Sequence, residues 1–271
     1  MRVDVYTVCR NEIKIAPFMV DYWKSLADDV NVFVFDEMSD DGTREFLSQF
    51  GFVKIFDTPS EGLNDELHVK IKNNMWKESR GKADLVMVCD FDETISSYDT
   101  ETLRKSLDVM VCGGYSILAP LSFNLVADSF PEYDGSVFMH KIVRYGVNDM
   151  EWYSKAILFD PDKIDEIDYC LGAHCCNPVG DVSWYTPDNL FFIHAKWLGY
   201  DYCRDRIRNR NVSKWNKYRG LYAEQEKSDE RLRIEYDELV SKRFAFDDIP
   251  NNFDRFYKTR RDWRRWFLGI I

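Results

Sequence analysis

Positive charge is scarce in this chain, with 36 Lys/Arg against 47 Asp/Glu, a formal net charge of −11 and a pI near 4.9. General attraction to a phosphate backbone is thereby argued against, and nucleic acid with it as a partner. No run of eighteen consecutive apolar residues is present, so no membrane-spanning helix is expected. The opening "MRVDVYTVCRNE" has Asp4 inside its apolar run and charge directly after it, which is not the pattern of a secretory leader. The seven cysteines are an odd number without a C-x-x-C pair, and several sit inside apolar runs, so reduced, cytosolic usage is expected. No internal repeat or low-complexity linker divides the chain. The expectation is one soluble or peripheral globular unit.

What is present is enough to bury a large core: 271 residues, 45% hydrophobic and 15% aromatic. The charge is uneven. Residues 251–271 carry six Lys/Arg against two Asp, which leaves the first 250 residues at −15. Their segment "RFYKTRRDWRRWFLGII" suits peripheral contact with an anionic membrane, on its inner face; the plainer alternative is a terminal helix packing its aromatics on the core.

Through the first 110 residues short β-rich runs alternate with helical patterns. "VDVYTV", "VNVFVF", "FVKIF" and "DLVMVC" are the runs; helices are expected near Pro17, after "DDGT", around 64–79 and from Asp99 to Met110. Alternation of this kind predicts parallel strands joined by right-handed crossovers, and nearly continuous apolar runs suit strands buried on both faces. Ligands of such sheets lie beyond the carboxyl ends of the strands, where "CRNE", "DEMSDDGT" and "DFDE" all fall. After residue 112 longer extended stretches follow, including "SVFMHKIVRY" and "NLFFIHAKW". From Asp201 the chain reads as helical and charged, with seven bases and one acid between Arg204 and Gly220.

Two acidic clusters carry the chemistry. In "FDEMSDDGT", Asp41 suits a helix N-terminus and Gly42 a tight turn, both structural roles. Asp36 and Glu37, at a strand exit, could accept hydrogen bonds from a base N–H or a ribose hydroxyl. In "VMVCDFDETIS", Asp90 and Asp92 lie two apart on a strand, so both carboxylates can aim at one point while Phe91 turns into the core. Hard oxygen ligands at a sheet edge suit Mg²⁺ or Mn²⁺, which would neutralise a departing diphosphate; a solvated acidic turn is the structural alternative.

Taken together, "TVCRNE", "VFDEMSDDGT" and "VCDFDE" resemble, in order and spacing over residues 3–95, the family-2-type glycosyltransferases with the A-type nucleotide-diphospho-sugar fold. The resemblance implies that Thr7, Cys9, Arg10 and Glu12 line a nucleotide pocket and that Asp36 contacts the base. It further implies that Asp90 binds ribose or metal and Asp92 the metal. Met38-Ser39 stands where the family commonly has Gly-Ser.

In the later half, His194 ends an apolar strand and looks like the late histidine ligand of A-type enzymes, which would favour Mn²⁺; His174 competes for that role. Lys196 could reach phosphate from the same loop. Trp152, Trp184 and Tyr185, in turn-rich segments, are candidates to stack on an acceptor sugar, and packing beneath a loop is the alternative for each. Asp181 and Asp188 lie at about the family's distance for a catalytic base past the D-x-D.

The fold class expected is therefore α/β, a Rossmann-like mixed sheet of the A-type glycosyltransferase kind. Residues 1–110 form the nucleotide-sugar half, 111–200 the acceptor half and 201–271 a charged helical extension. The activity expected is metal-dependent transfer of a sugar from a nucleotide-diphosphate donor to a hydroxyl of a glycan or lipid-linked acceptor. The rival is a haloacid-dehalogenase-like phosphatase, which "DFDETI" fits with Asp90 as nucleophile; against it, three βα units precede a motif that normally ends the first strand. A nucleotidyltransferase and a catalytically silent binding protein are the remaining alternatives.

Overall fold

The structure is a computed structural model and describes residues 1–148 and 155–248. In chain order the first half comprises β1 (Arg2–Cys9), α1 (Ala16–Leu26), β2 (Asp29–Asp36), α2 (Thr43–Leu47), β3 (Val53–Asp57), α3 (Asp65–Asn74), β4 (Leu85–Asp90), β5 (Glu93–Ser96) and α4 (Thr100–Cys112). Then come β6 (Ile117–Leu118), β7 (Leu121–Ala127), α5 (Met139–Val143), β8 (Tyr145–Asn148), β9 (Leu158–Phe159), β10 (Ile164–Glu166), β11 (Val179–Gly180), β12 (Trp184–Tyr185) and β13 (Phe191–Leu198). The last described elements are α6 (Tyr200–Asn209), α7 (Lys214–Tyr218), α8 (Asp229–Lys242) and β14 (Phe244–Ala245).

β1 lies between β2 and β4 and pairs with both in parallel, Val5 opposite Val32 on one side and Met87 on the other. With β3 parallel beside β2 and β9 antiparallel beside β4, the main sheet among the described residues runs β12-β6-β9-β4-β1-β2-β3. This is the Rossmann-like mixed α/β sheet expected from the sequence. Helices cover the inner strands, so "LVMVC" of β4 is buried on both faces, which is why it carries no alternation.

A second sheet runs β14-β8-β7-β13-β5, and it is joined to the first through the two residues between β4 and β5. One of them, Phe91, is 2% exposed and meets Trp23 of α1 edge to face, ring centroids 5.3 Å apart. That anchor holds Asp90 and Asp92 at the junction. β5, from the first half of the chain, pairs antiparallel with β13, with Glu93 opposite His194.

One expectation fails. "SVFMHKIVRY" reads as extended, but Met139–Val143 is a helix, because its buried residues Met139, His140 and Val143 recur at helical spacing on the core. The cysteines also differ from expectation: Cys170 and Cys175 are joined as a disulfide, with Cα atoms 5.5 Å apart, while Cys9, Cys89, Cys112, Cys176 and Cys203 are free. A five-residue separation with the turn at Gly172 brings the two sulfurs together, geometry that a count of cysteines does not encode. No helix among the described residues is long and apolar enough to cross a membrane.

Candidate active site

Beyond the carboxyl ends of β1 and β4 lies a cavity of about 630 Å³. Its lining includes seven Asp/Glu and seven Lys/Arg, a balanced set in a chain that is otherwise acidic. Charged groups come from several segments, four of them central. The β1 exit brings Arg10 and Glu12, and the β4–β5 junction brings Asp90 and Asp92. α3 presents His68 and Lys72 four residues apart, hence on one face, and α6 does the same with Tyr202 and Arg206.

α3 begins at Asn64, whose side chain accepts from the backbone N–H of Glu66 and Leu67, and this cap fixes the direction in which Lys72 projects. α6 is launched by Gly199 at φ +103°; a Cβ there would stand 2.7 Å from the Phe130 nitrogen.

Glu12, Asp90, Asp92 and Glu93 each meet a Lys or Arg. Lys72 Nζ donates to Asp90 Oδ1 at 2.5 Å, and Lys155 Nζ to Asp90 Oδ2 at 3.0 Å. Lys155 also donates to Glu93, which is fully buried and accepts the Asp90 N–H at 2.9 Å. Arg206 Nη1 donates to Asp92 Oδ2 at 2.7 Å, and its Nη2 to Glu12. His194 Nε2 stands 3.4 Å from the same Asp92 oxygen, and His194 Nδ1 is 2.9 Å from Asn124 Oδ1 on the adjacent β7.

These contacts set the protonation states. Burial works against a charged Asp90, yet the ammonium groups of Lys72 and Lys155 outweigh it and hold the carboxyl well below its ordinary range. Asp92 is likewise desolvated and likewise held down, by Arg206 and then His194. Glu12 behaves oppositely. Its desolvation exceeds the pull of Arg206, and the carboxyl is pushed up to about 7. Burial, then Lys155, pushes His174 down to about 3, leaving a neutral imidazole in the cavity wall.

Of the residues singled out from sequence, Cys9, Arg10, Glu12, Asp90, Asp92, His194 and Lys196 line this cavity, as does His174. Asp36 does not. It is 1% exposed and consumed structurally, accepting from Ser39 N at 3.0 Å and from Arg44 Nη1 at 2.7 Å. Its neighbour Glu37 lines the cavity instead, with Oε1 2.9 Å from His68 Nε2 and Oε2 without a hydrogen-bond partner among the described residues. Thr7 is buried within β1, its hydroxyl donating to Val8 O at 3.4 Å, and is not part of the lining. Asp41 serves the turn, accepting from Thr43 N at 3.0 Å, and Gly42 takes φ +95°.

The two candidate bases and two of the stacking aromatics are not among the lining residues. Asp181 is exposed just after β11 and Asp188 is exposed ahead of β13. Trp184 and Tyr185 form β12 at the edge of the main sheet, Trp184 packed on a core cluster and Tyr185 5.1 Å from the Tyr115 ring. The strand pairing with β6 spends these aromatics on packing. Trp152 and the segment 251–271 lie outside the described residues.

Sequence reasoning passed over Lys72, Lys155 and Arg206. The signal for Arg206 was available: Tyr202, Arg206 and Arg210 recur every four residues and line one face of the cavity. For Lys72 and Lys155 nothing local distinguishes a buried lysine from a solvated one.

The divalent ion expected on Asp90, Asp92 and His194 does not fit this arrangement. Both Asp90 oxygens already carry an ammonium, and Asp92 Oδ2 carries a guanidinium and an imidazole. A doubly charged ion there would have to displace these cations from the carboxylate oxygens. Among the described residues no group of three or more His, Cys, Asp or Glu is placed to hold one.

No family model matches this chain, and no curated protein matches it. Solved structures do resemble it distantly. The crystal structure of S. aureus TarS is similar over 80% of this chain and 41% of its own, at 13% identity and a TM-score of 0.42. The mannosyltransferase PcManGT from Pyrobaculum calidifontis, in complex with GDP-Man and Mn²⁺, is similar over 45% and 35%, at 18% identity and 0.33. Glucosyl-3-phosphoglycerate synthase from Mycobacterium tuberculosis, with Mn²⁺, UDP and glucosyl-3-phosphoglycerate, is similar over 45% and 44%, at 14% and 0.32. The chain spans less than half the length of each of these proteins. Likenesses this distant carry no argument about its activity.

Proposed function

We propose that the chain is a glycosyltransferase that moves a sugar from a nucleotide-diphosphate donor to a hydroxyl of a glycan or lipid-linked acceptor. One observation carries this reading: two of the three clusters that resemble the family, "CRNE" and "DFDE", line a single cavity at the carboxyl edge of a parallel sheet, and Glu37 brings the third to its wall. In this reading Glu37, with an unsatisfied buried Oε2, accepts a donor N–H or ribose hydroxyl, since a buried acceptor left unpaired costs about 1–3 kcal/mol. Arg10, whose Nη1 donates to Glu37 O at 2.8 Å, holds the strand exit in place beneath the nucleotide. The basic aromatic segment 251–271 remains a candidate for contact with a membrane that carries the acceptor, on composition alone.

The test is a thermal-shift screen of UDP-, GDP- and dTDP-linked sugars, followed by detection of released nucleoside diphosphate. A ligand that binds only the folded state raises its apparent stability, so one nucleotide class is expected to shift the melt. Absence of a shift with every nucleotide sugar, together with hydrolysis of an aryl phosphate that is lost in Asp90→Asn, would replace this reading by the phosphatase.

A further inference from the structure

We propose that Lys72, Lys155 and Arg206 form a cationic clamp that takes the donor's diphosphate directly, so that donor binding does not depend on a divalent ion. This rests on the glycosyltransferase reading and adds to it the chemistry by which the diphosphate is held.

The positions of the three cations carry the argument. Lys72 and Lys155 are each 3% exposed, reach the cavity from α3 and from the segment before β9, and converge on one carboxylate. A buried ammonium is costly unless it is paired, and here two ammoniums share two carboxylates, Asp90 engaging both and Glu93 engaging Lys155. Their donors are not exhausted. An ammonium has three N–H groups, of which Lys72 uses one and Lys155 two; a guanidinium has five, of which Arg206 uses one on Asp92 and one on Glu12. The remainder suit phosphate oxygens, and a planar guanidinium suits them bidentately.

Asp90, Asp92 and Glu12 act in this arrangement as positioning residues. They hold the cations at the strand ends before the donor arrives, so no ordering is needed on binding. A divalent ion placed among the same carboxylates would have to displace the ammonium and guanidinium groups that already occupy Asp90 and Asp92 Oδ2. The donors that meet a departing diphosphate are in this arrangement the unused N–H groups of Lys72, Lys155 and Arg206.

The experiment is a titration of the wild-type protein with UDP, GDP and dTDP, in Mn²⁺ and again in EDTA, beside Lys72→Met, Lys155→Met and Arg206→Met variants checked for folding by circular dichroism. We expect one nucleoside diphosphate to bind within twofold of equally in both conditions, and to bind at least tenfold more weakly to each variant. Binding that appears only with Mn²⁺ overturns the clamp and leaves the glycosyltransferase reading intact. Binding that survives EDTA but is unchanged in all three variants also overturns it. If no nucleoside diphosphate binds in either condition, the glycosyltransferase reading fails and the clamp with it. The wild-type comparison needs no variant to fold.

Discussion

Arg206 Nη1 lies 2.7 Å from Asp92 Oδ2, although 114 residues of chain separate them. The same guanidinium reaches Glu12, so one side chain on α6 ties together the exits of β1 and β4. Removing it takes the guanidinium from buried Glu12 and leaves Asp92 with His194 alone. Arg206→Met is expected to cost on the order of 3–5 kcal/mol, the range for breaking a buried ion pair on one side only. Urea denaturation of Arg206→Met and of Arg206→Met/Glu12→Gln measures it, and the double variant should recover part of the loss. Equal stability of the single variant and wild type would show that the bridge contributes nothing.

Phe91 separates the two aspartates and is held against Trp23 in the core. Phe91→Ala is expected to destabilise the protein by about 3–5 kcal/mol, as truncation of a buried aromatic does. Nucleotide affinity should fall as well, because the anchor that aims Asp90 and Asp92 is gone. A variant that unfolds at the wild-type urea midpoint would contradict this packing role.

His140 is buried on α5 with Nδ1 2.9 Å from Ser96 Oγ, and burial, helped by Lys141, lowers its pKa to about 3. The folded state therefore keeps it neutral while the unfolded chain protonates near pH 6.5. Its contribution is fully present above pH 6.5 and is lost as pH falls from there toward 3, at about 1.4 kcal/mol per unit. Between pH 7 and 5 the wild type should lose about 2 kcal/mol that His140→Asn does not. Parallel pH profiles for the two proteins would exclude the effect.

The disulfide between Cys170 and Cys175 closes the turn carrying Leu171, Gly172 and His174, all of which line the cavity. Closing so short a loop is expected to add about 2 kcal/mol in the chain-entropy account. Alkylation of the unfolded, unreduced protein should label five cysteines, and Cys170→Ser should lower the urea midpoint and make it insensitive to reductant. Labelling of all seven would mean that the pair is reduced.

The parallel core was legible because burial on both faces leaves its mark residue by residue. "VDVYTV", "VNVFVF" and "DLVMVC" are mostly apolar because β1, the inner end of β2 and β4 are buried on both sides. Much of the candidate site was legible for a related reason. Strand ends of a parallel sheet gather on one edge, so Glu12, Asp90 and Asp92 had to be neighbours once the strands were recognised. The short strands were less so: β6, β9 and β12 span two residues each, and their pairing depends on distant partners, which is how Trp184 and Tyr185 came to be spent on an edge strand.

What the sequence by itself determined, then, is the alternation of strands and helices, the burial of the sheet and the acidic groups at its edge, because each follows from local period and composition. Only the tertiary structure decided which cations answer those acids. Lys72, Lys155 and Arg206 come from α3, the approach to β9 and α6, and an ion pair across that much chain has no local periodicity to announce it. The same folding decided that Glu37 and not Asp36 faces the cavity, since Asp36 is held by Ser39 and Arg44 at the strand exit. Composition can place charge at a sheet edge; the partner that sets each group's protonation and reach depends on a distance of a few ångströms, and only the packed fold fixes that distance.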